Sequence, residues 1–124
     1  MANTYCQFSF KPFEKLTQAE KDWLNRRSKE FIESDEPPGF IIEVKDSCIV
    51  YTEESGDPDI AAELCKNFLA RFRLDSTVWF EYANFCSAPR VGQFGGGGYV
   101  VTAKDTFIMS PVAMMEMFLK NDLS

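Results

Sequence analysis

The stretch DPDIAAELCKNFLARFRLDSTVWFEYANFC, Asp57 to Cys86, decides how the chain is read. Asp57 suits a helix N-cap, and Pro58 suits the first helical position, where no amide donor is needed. Ile60, Ala61, Leu64, Cys65, Phe68, Leu69 and Phe72 then recur with an i, i+1, i+4, i+5 rhythm, which places one apolar stripe along a helix. Arg71 and Arg73 complement the negative end of that helix. From Thr77 the composition turns aromatic and β-branched. Val78, Phe80 and Tyr82 alternate with Trp79 and Phe85, so both faces are apolar and a central strand covered on both sides is expected.

Working toward the N-terminus, the run from Tyr5 to Phe10 alternates with Cys6, Phe8 and Phe10 on one side, the period of a strand. Thr17 and Glu20 have the spacing of a capping box, so a helix should follow to about Ser34 with Trp23, Leu24, Phe31 and Ile32 facing the core. Asp35-Glu36-Pro37-Pro38-Gly39 stops it. Phe40 to Lys45 and Cys48 to Thr52 read as a hairpin turning at Asp46 and Ser47. Toward the C-terminus, Ser87 to Gly98 reads as a long connection. Tyr99 to Ala103 and Thr106 to Met109 form a hairpin around Lys104 and Asp105. Ser110-Pro111 caps a last helix, Val112 to Lys120.

The order is thus β-α-β-β-α-β-β-α in one domain, 1–124, since Ser34 to Gly39 is too short to separate two. The first six elements match a ferredoxin-like sandwich, class α+β, with an extra C-terminal strand and helix.

The 124 residues are 45% hydrophobic and include 12 Phe, enough for one core. No apolar run reaches the ~18 residues of a membrane span, and the N-terminus has no secretory signal pattern, so a cytoplasmic protein without membrane contact is expected. Cys6, Cys48, Cys65 and Cys86 are too scattered for a metal knuckle and read as buried apolar side chains. The chain has no histidine. That removes the commonest general base and the commonest metal ligand, and no motif pairs a nucleophile with a base. No cofactor, no metal and no catalytic residue is expected. The net charge of −6 disfavours direct nucleic-acid binding and suits a partner with a basic surface.

Four constellations remain as contact candidates. Gly95 to Gly98 resembles a phosphate cradle in composition, but a strand rather than a helix follows, so a flexible loop between two strands is the stronger reading. In the preceding Ser87 to Phe94, Arg90 and Phe94 are residue types favoured at interface centres, with Phe94 plugging the core as the alternative. Two acidic stretches follow: Glu53 and Glu54 with Asp57, Asp59 and Glu63, then Glu33, Asp35 and Glu36 with Glu30. They read as solvated surface or as mimics of phosphate charge. Met109, Met114, Met115 and Met117 add an adaptable apolar end that suits the core or a second copy.

Glu54-Ser55-Gly56-Asp57, Phe68-Leu69-x-Arg71-Phe72-Arg73 and Ser87-x-Pro89-Arg90-x-Gly92-x-Phe94-Gly95-Gly96-Gly97 together resemble a set of small, uncharacterised bacterial and mobile-element proteins. The resemblance spans Tyr51 to Ala103 and implies no activity. The expectation is a non-catalytic protein-binding module, monomeric or homodimeric. A phage or mobile-element inhibitor of a bacterial defence complex, anti-CRISPR-like, is its concrete form. Contacts would come from Arg90, Phe94, Gly95, Gly96, Glu53, Glu54, Glu33, Asp35 and Glu36. A nucleotide or small-molecule binder using the glycine tract is the alternative.

Overall fold

A computed structural model describes residues 4–86 and 95–109. The chain runs β1 (Thr4–Gln7), β2 (Ser9–Phe13), α1 (Gln18–Glu33), β3 (Phe40–Val44), β4 (Cys48–Thr52), α2 (Pro58–Phe72), β5 (Val78–Cys86), β6 (Gly95–Val101) and β7 (Thr106–Met109). The class is α+β, with two antiparallel sheets ordered β1-β5-β6-β7 and β2-β4-β3.

The first strand of the sequence reading is two. Cys6 faces Asn84 of β5, whereas Phe10 faces Val50 of β4, so pairing passes from one sheet to the other around Phe8. Phe8 stays tied to β4, its amide donating to Thr52 Oγ1 and its carbonyl accepting from the Thr52 amide. The register then slips between Phe10 and Phe13, where Pro12 has no amide to give a ladder. That extra residue turns Phe13 inward, although an unbroken alternation from Phe8 and Phe10 would point it out.

Both helices start as their sequences demand. Thr17 and Glu20 form the reciprocal capping box, and Asp57 caps α2 ahead of Pro58. Trp23 of α1 meets Phe68 and Phe72 of α2, and Phe13 stacks on Phe68. Phe8, Val50, Phe80, Tyr99 and Val101 close the same core from the strands. Burying such side chains gives roughly 1.5–3 kcal/mol each.

Three sequence expectations are corrected. Trp79 is 68% exposed, so β5 is central in its sheet but is not covered on its second face at that position. Ile32 is 77% exposed rather than in the core; in the last turn of α1 it is its neighbour Phe31 that packs on Phe40 of β3. Gly95 to Gly98 are not loop: they pair with Asn84 to Glu81 as the first half of β6. The glycines have a packing reason at Gly97, where a Cβ would collide with the Met109 carbonyl of β7 and also lie 2.8 Å from the Tyr82 hydroxyl. Tyr82 lies across the bare backbone of its partner strand, as aromatics do opposite strand glycines. The last helix, Val112 to Lys120, lies outside the described residues, as do Arg90 and Phe94. No described helix is long and apolar enough to cross a membrane.

Candidate functional site

Residues 37–52 separate the two acidic stretches in sequence, yet the turns that carry them close on each other at one pole. Gly39 makes this possible. Its φ is +82°, and a Cβ there would come within 2.9 Å of Gly56 Cα. A side chain would therefore be strained by its own backbone and blocked by the neighbouring turn. The Asp57 amide donates to the Pro38 carbonyl at 2.8 Å and fixes the contact. β1 stitches the pole from the other side. The Cys6 amide donates to Ser55 Oγ at 3.0 Å, the Gly56 amide to the Cys6 carbonyl at 3.0 Å, and Gln7 Nε2 to the Glu54 carbonyl at 2.8 Å.

Glu33, Asp35, Glu36, Glu53 and Glu54 are all exposed on this pole. None of them takes part in the ion pairs of the described residues. No Lys or Arg occurs from residue 34 to 44 or from 46 to 65. Two helix ends meet here with opposite effect. Asp57 and Asp59 sit at the positive N-terminus of α2, which stabilises them. Glu33 sits at the negative C-terminus of α1, whose last turn has no basic residue, so its charge opposes the dipole. The fold tolerates this charge; it does not need it.

The glycine tract is not part of this pole. Cys6, which holds Ser55 and Gly56, pairs with Asn84, and Asn84 pairs with Gly95, so β1 and β5 lie between Gly95 and the acidic turns. Of the sequence-predicted contact residues, Glu33, Asp35, Glu36, Glu53 and Glu54 are thus collected at one pole, while Gly95 is separated from it by β1 and β5. Gly96 is one step further along β6, paired with Ala83.

Beneath the pole lies a small polar cluster that the sequence did not reveal. The Tyr99 hydroxyl, buried under α2, donates to Asp59 Oδ1. Burial, the Asp59 hydrogen bond and the Asp59 charge push the Tyr99 phenol far above its usual range. Burial, with Cys6 and Asp59 nearby, raises Tyr82, and burial, with Asp57 and Asp59, raises the Cys6 thiol. Each shift favours the protonated form of its group. In the core, burial pushes Cys48 up to about 12 and raises Cys65 beyond that. Such thiols are inert. Among the described residues no three His, Cys, Asp or Glu side chains are grouped to hold a metal ion.

Only the periodicity of Tyr82 and the position of Tyr99 after the glycines could have hinted at the cluster. Strand register, which brings Tyr82 and Tyr99 side by side, was not readable from sequence. No known protein family, no curated protein and no solved structure matches the chain.

Proposed function

We propose that this chain is a non-catalytic protein-binding module whose acidic pole engages a basic surface on its partner, of the kind a protein uses to grip nucleic-acid phosphates. The carrying observation is the convergence of Glu33, Asp35, Glu36, Glu53 and Glu54, unpaired and exposed, on one pole braced by Gly39 and Asp57. A field of one sign on a rigid surface speeds and orients encounter with the opposite sign. The protonated thiols and phenols support a role without bond chemistry.

The concrete form of this reading is a phage or mobile-element inhibitor that occupies the phosphate-binding surface of a bacterial defence complex, acting in the cytoplasm as a monomer or homodimer. Arg90 and Phe94 would add to its contacts. A ferredoxin-like topology belongs to the same proposal. The neighbour order β5, β1–β2, β4, β3 supports it, because each helix then joins two strands with one antiparallel strand between them.

The test is capture from bacterial lysate by the native chain and by a variant with Glu33, Asp35, Glu36, Glu53 and Glu54 changed to Lys. The reading expects a stoichiometric basic partner that the native chain holds, that rising salt releases, and that the variant does not hold. Equal capture by both chains overturns it. Restored plaque formation in cells carrying the defence system tests the inhibitor form separately.

A further inference from the structure

Beside the acidic pole, three features meet at one edge of the molecule. The first is β3, which pairs with β4 alone among the described residues and so presents one side of its backbone unpaired. Natural edge strands are guarded by lysine, proline or a bulge. The Phe40–Val44 strand, Phe-Ile-Ile-Glu-Val, has none of these within it, and its pairing to β4 is regular throughout.

The second is a groove of about 210 Å³ between this strand and the last turns of α1, lined by Phe31, Ile32, Pro38, Phe40 and Ile42. Ile32 and Ile41 stand at its mouth, 77% and 36% exposed. Sites for drug-sized ligands start near ~300 Å³. This one suits a single large apolar side chain, the kind of anchor that dominates protein interfaces. The third is the rim. Glu33, Asp35 and Glu36 follow the groove along the helix end and its turn, with no ion pair among the described residues.

We propose that the free edge of β3 accepts an extended, basic segment of the partner protein as an additional strand. One apolar side chain of that segment fills the groove, and its Lys or Arg residues face Glu33, Asp35 and Glu36. An unpaired strand edge asks for backbone donors and acceptors, which an extended segment has free and a helix has already used. Charge selects the basic sequence, and the groove sets its register. This inference deepens the acidic-pole reading and rests on it.

The experiment uses the whole chain, labelled with ¹⁵N, and short synthetic peptides that alternate Lys with Val around a central Leu. Matched peptides carry Glu in place of Lys, or N-methyl groups on either alternate set of backbone amides. The expected result is binding of the Lys peptide with amide shifts centred on Phe40 to Val44. About tenfold weaker binding is expected for the Glu peptide, for one of the two N-methylated peptides, and for the Glu33→Lys/Glu36→Lys chain. Ile32→Glu, at a position too exposed to disturb folding, weakens binding to a similar degree.

Absence of Lys-peptide binding, shifts confined to other elements, or indifference to both N-methylated peptides would each overturn strand addition. Those failures remain separable from failure of the acidic-pole reading. If lysate capture still depends on the carboxylates while Ile32→Glu and N-methylation change nothing, the pole binds cations without using the edge.

Discussion

Glu20 is 4% exposed, and it shows what a carboxylate does here when it serves the fold rather than the surface. It completes the α1 capping box and receives Arg73 Nε at 2.8 Å across the core. Burial alone would raise its pKa, but hydrogen bonds from Arg73 and the Thr17 backbone, with the Arg73 charge, bring it below the usual carboxylate range. A carboxyl held lower in the folded state contributes stability that is present above its unfolded value and is lost as pH falls through the folded one. Glu20→Gln keeps the capping geometry and loses the charge, so it should cost about 1–3 kcal/mol in urea unfolding at pH 7. The variant should also lose less stability than the native chain below pH 4.5, the ordinary value of this carboxyl. Equal acid sensitivity would remove Glu20 as the titrating group. Gly39→Ala should destabilise by about 1–3 kcal/mol through its positive φ alone. Because it also forces the two acidic turns apart, it should weaken partner binding beyond what Glu36→Gln does.

Among the elements, β5 offers a contrast between adjacent residues. Phe80 is enclosed by Phe8, Phe10 and Tyr99, while Trp79 faces out. Phe80→Ala should cost about 3–5 kcal/mol, and Trp79→Lys should stay within about 0.5 kcal/mol. Acrylamide quenching should act on Trp79 and spare Trp23, so Trp79→Phe should leave a blue-shifted, protected emission. Both strand faces of β5 are apolar in sequence, which is why alternation could not say which one the helices cover. The same limit explains Ile32. Helical spacing puts it with Leu24 and Phe31, but spacing does not report which of two adjacent apolar residues, Phe31 or Ile32, the sheet covers. The elements with their own chemistry at the ends were legible: Thr17 with Glu20, Asp57 with Pro58, and the Asp46 turn. The glycine tract was not, because glycine has no strand preference of its own, and its reason to be there is the close approach of the neighbouring strands, the Tyr82 carbonyl at Gly96 and the Met109 carbonyl with the Tyr82 ring at Gly97.

At the scale of the whole molecule, charge and stability pull against each other. Glu33 at the negative end of α1 is surrounded by carboxylates, so Glu33→Lys should raise stability by about 0.3–1 kcal/mol, read as a higher Tm. The same substitution should reduce capture of the basic partner. A variant that folds better and binds worse would mark these charges as kept for binding. The acidic stretches were visible in the sequence as two separate runs. Their union depends on Gly39, Pro38 and Gly56, three residues without charge, so no reading of charge alone could have joined them. The split of the first strand has a further consequence. Because Thr4 to Phe13 is a wedge shared by both sheets, proteolytic trimming of the N-terminus past Phe8 would not shorten a tail. It would strip β5 of its outer partner and uncover the Phe40 and Phe80 rings that pack on Phe8, so the trimmed chain would present a free strand edge beside bare apolar surface and should self-associate.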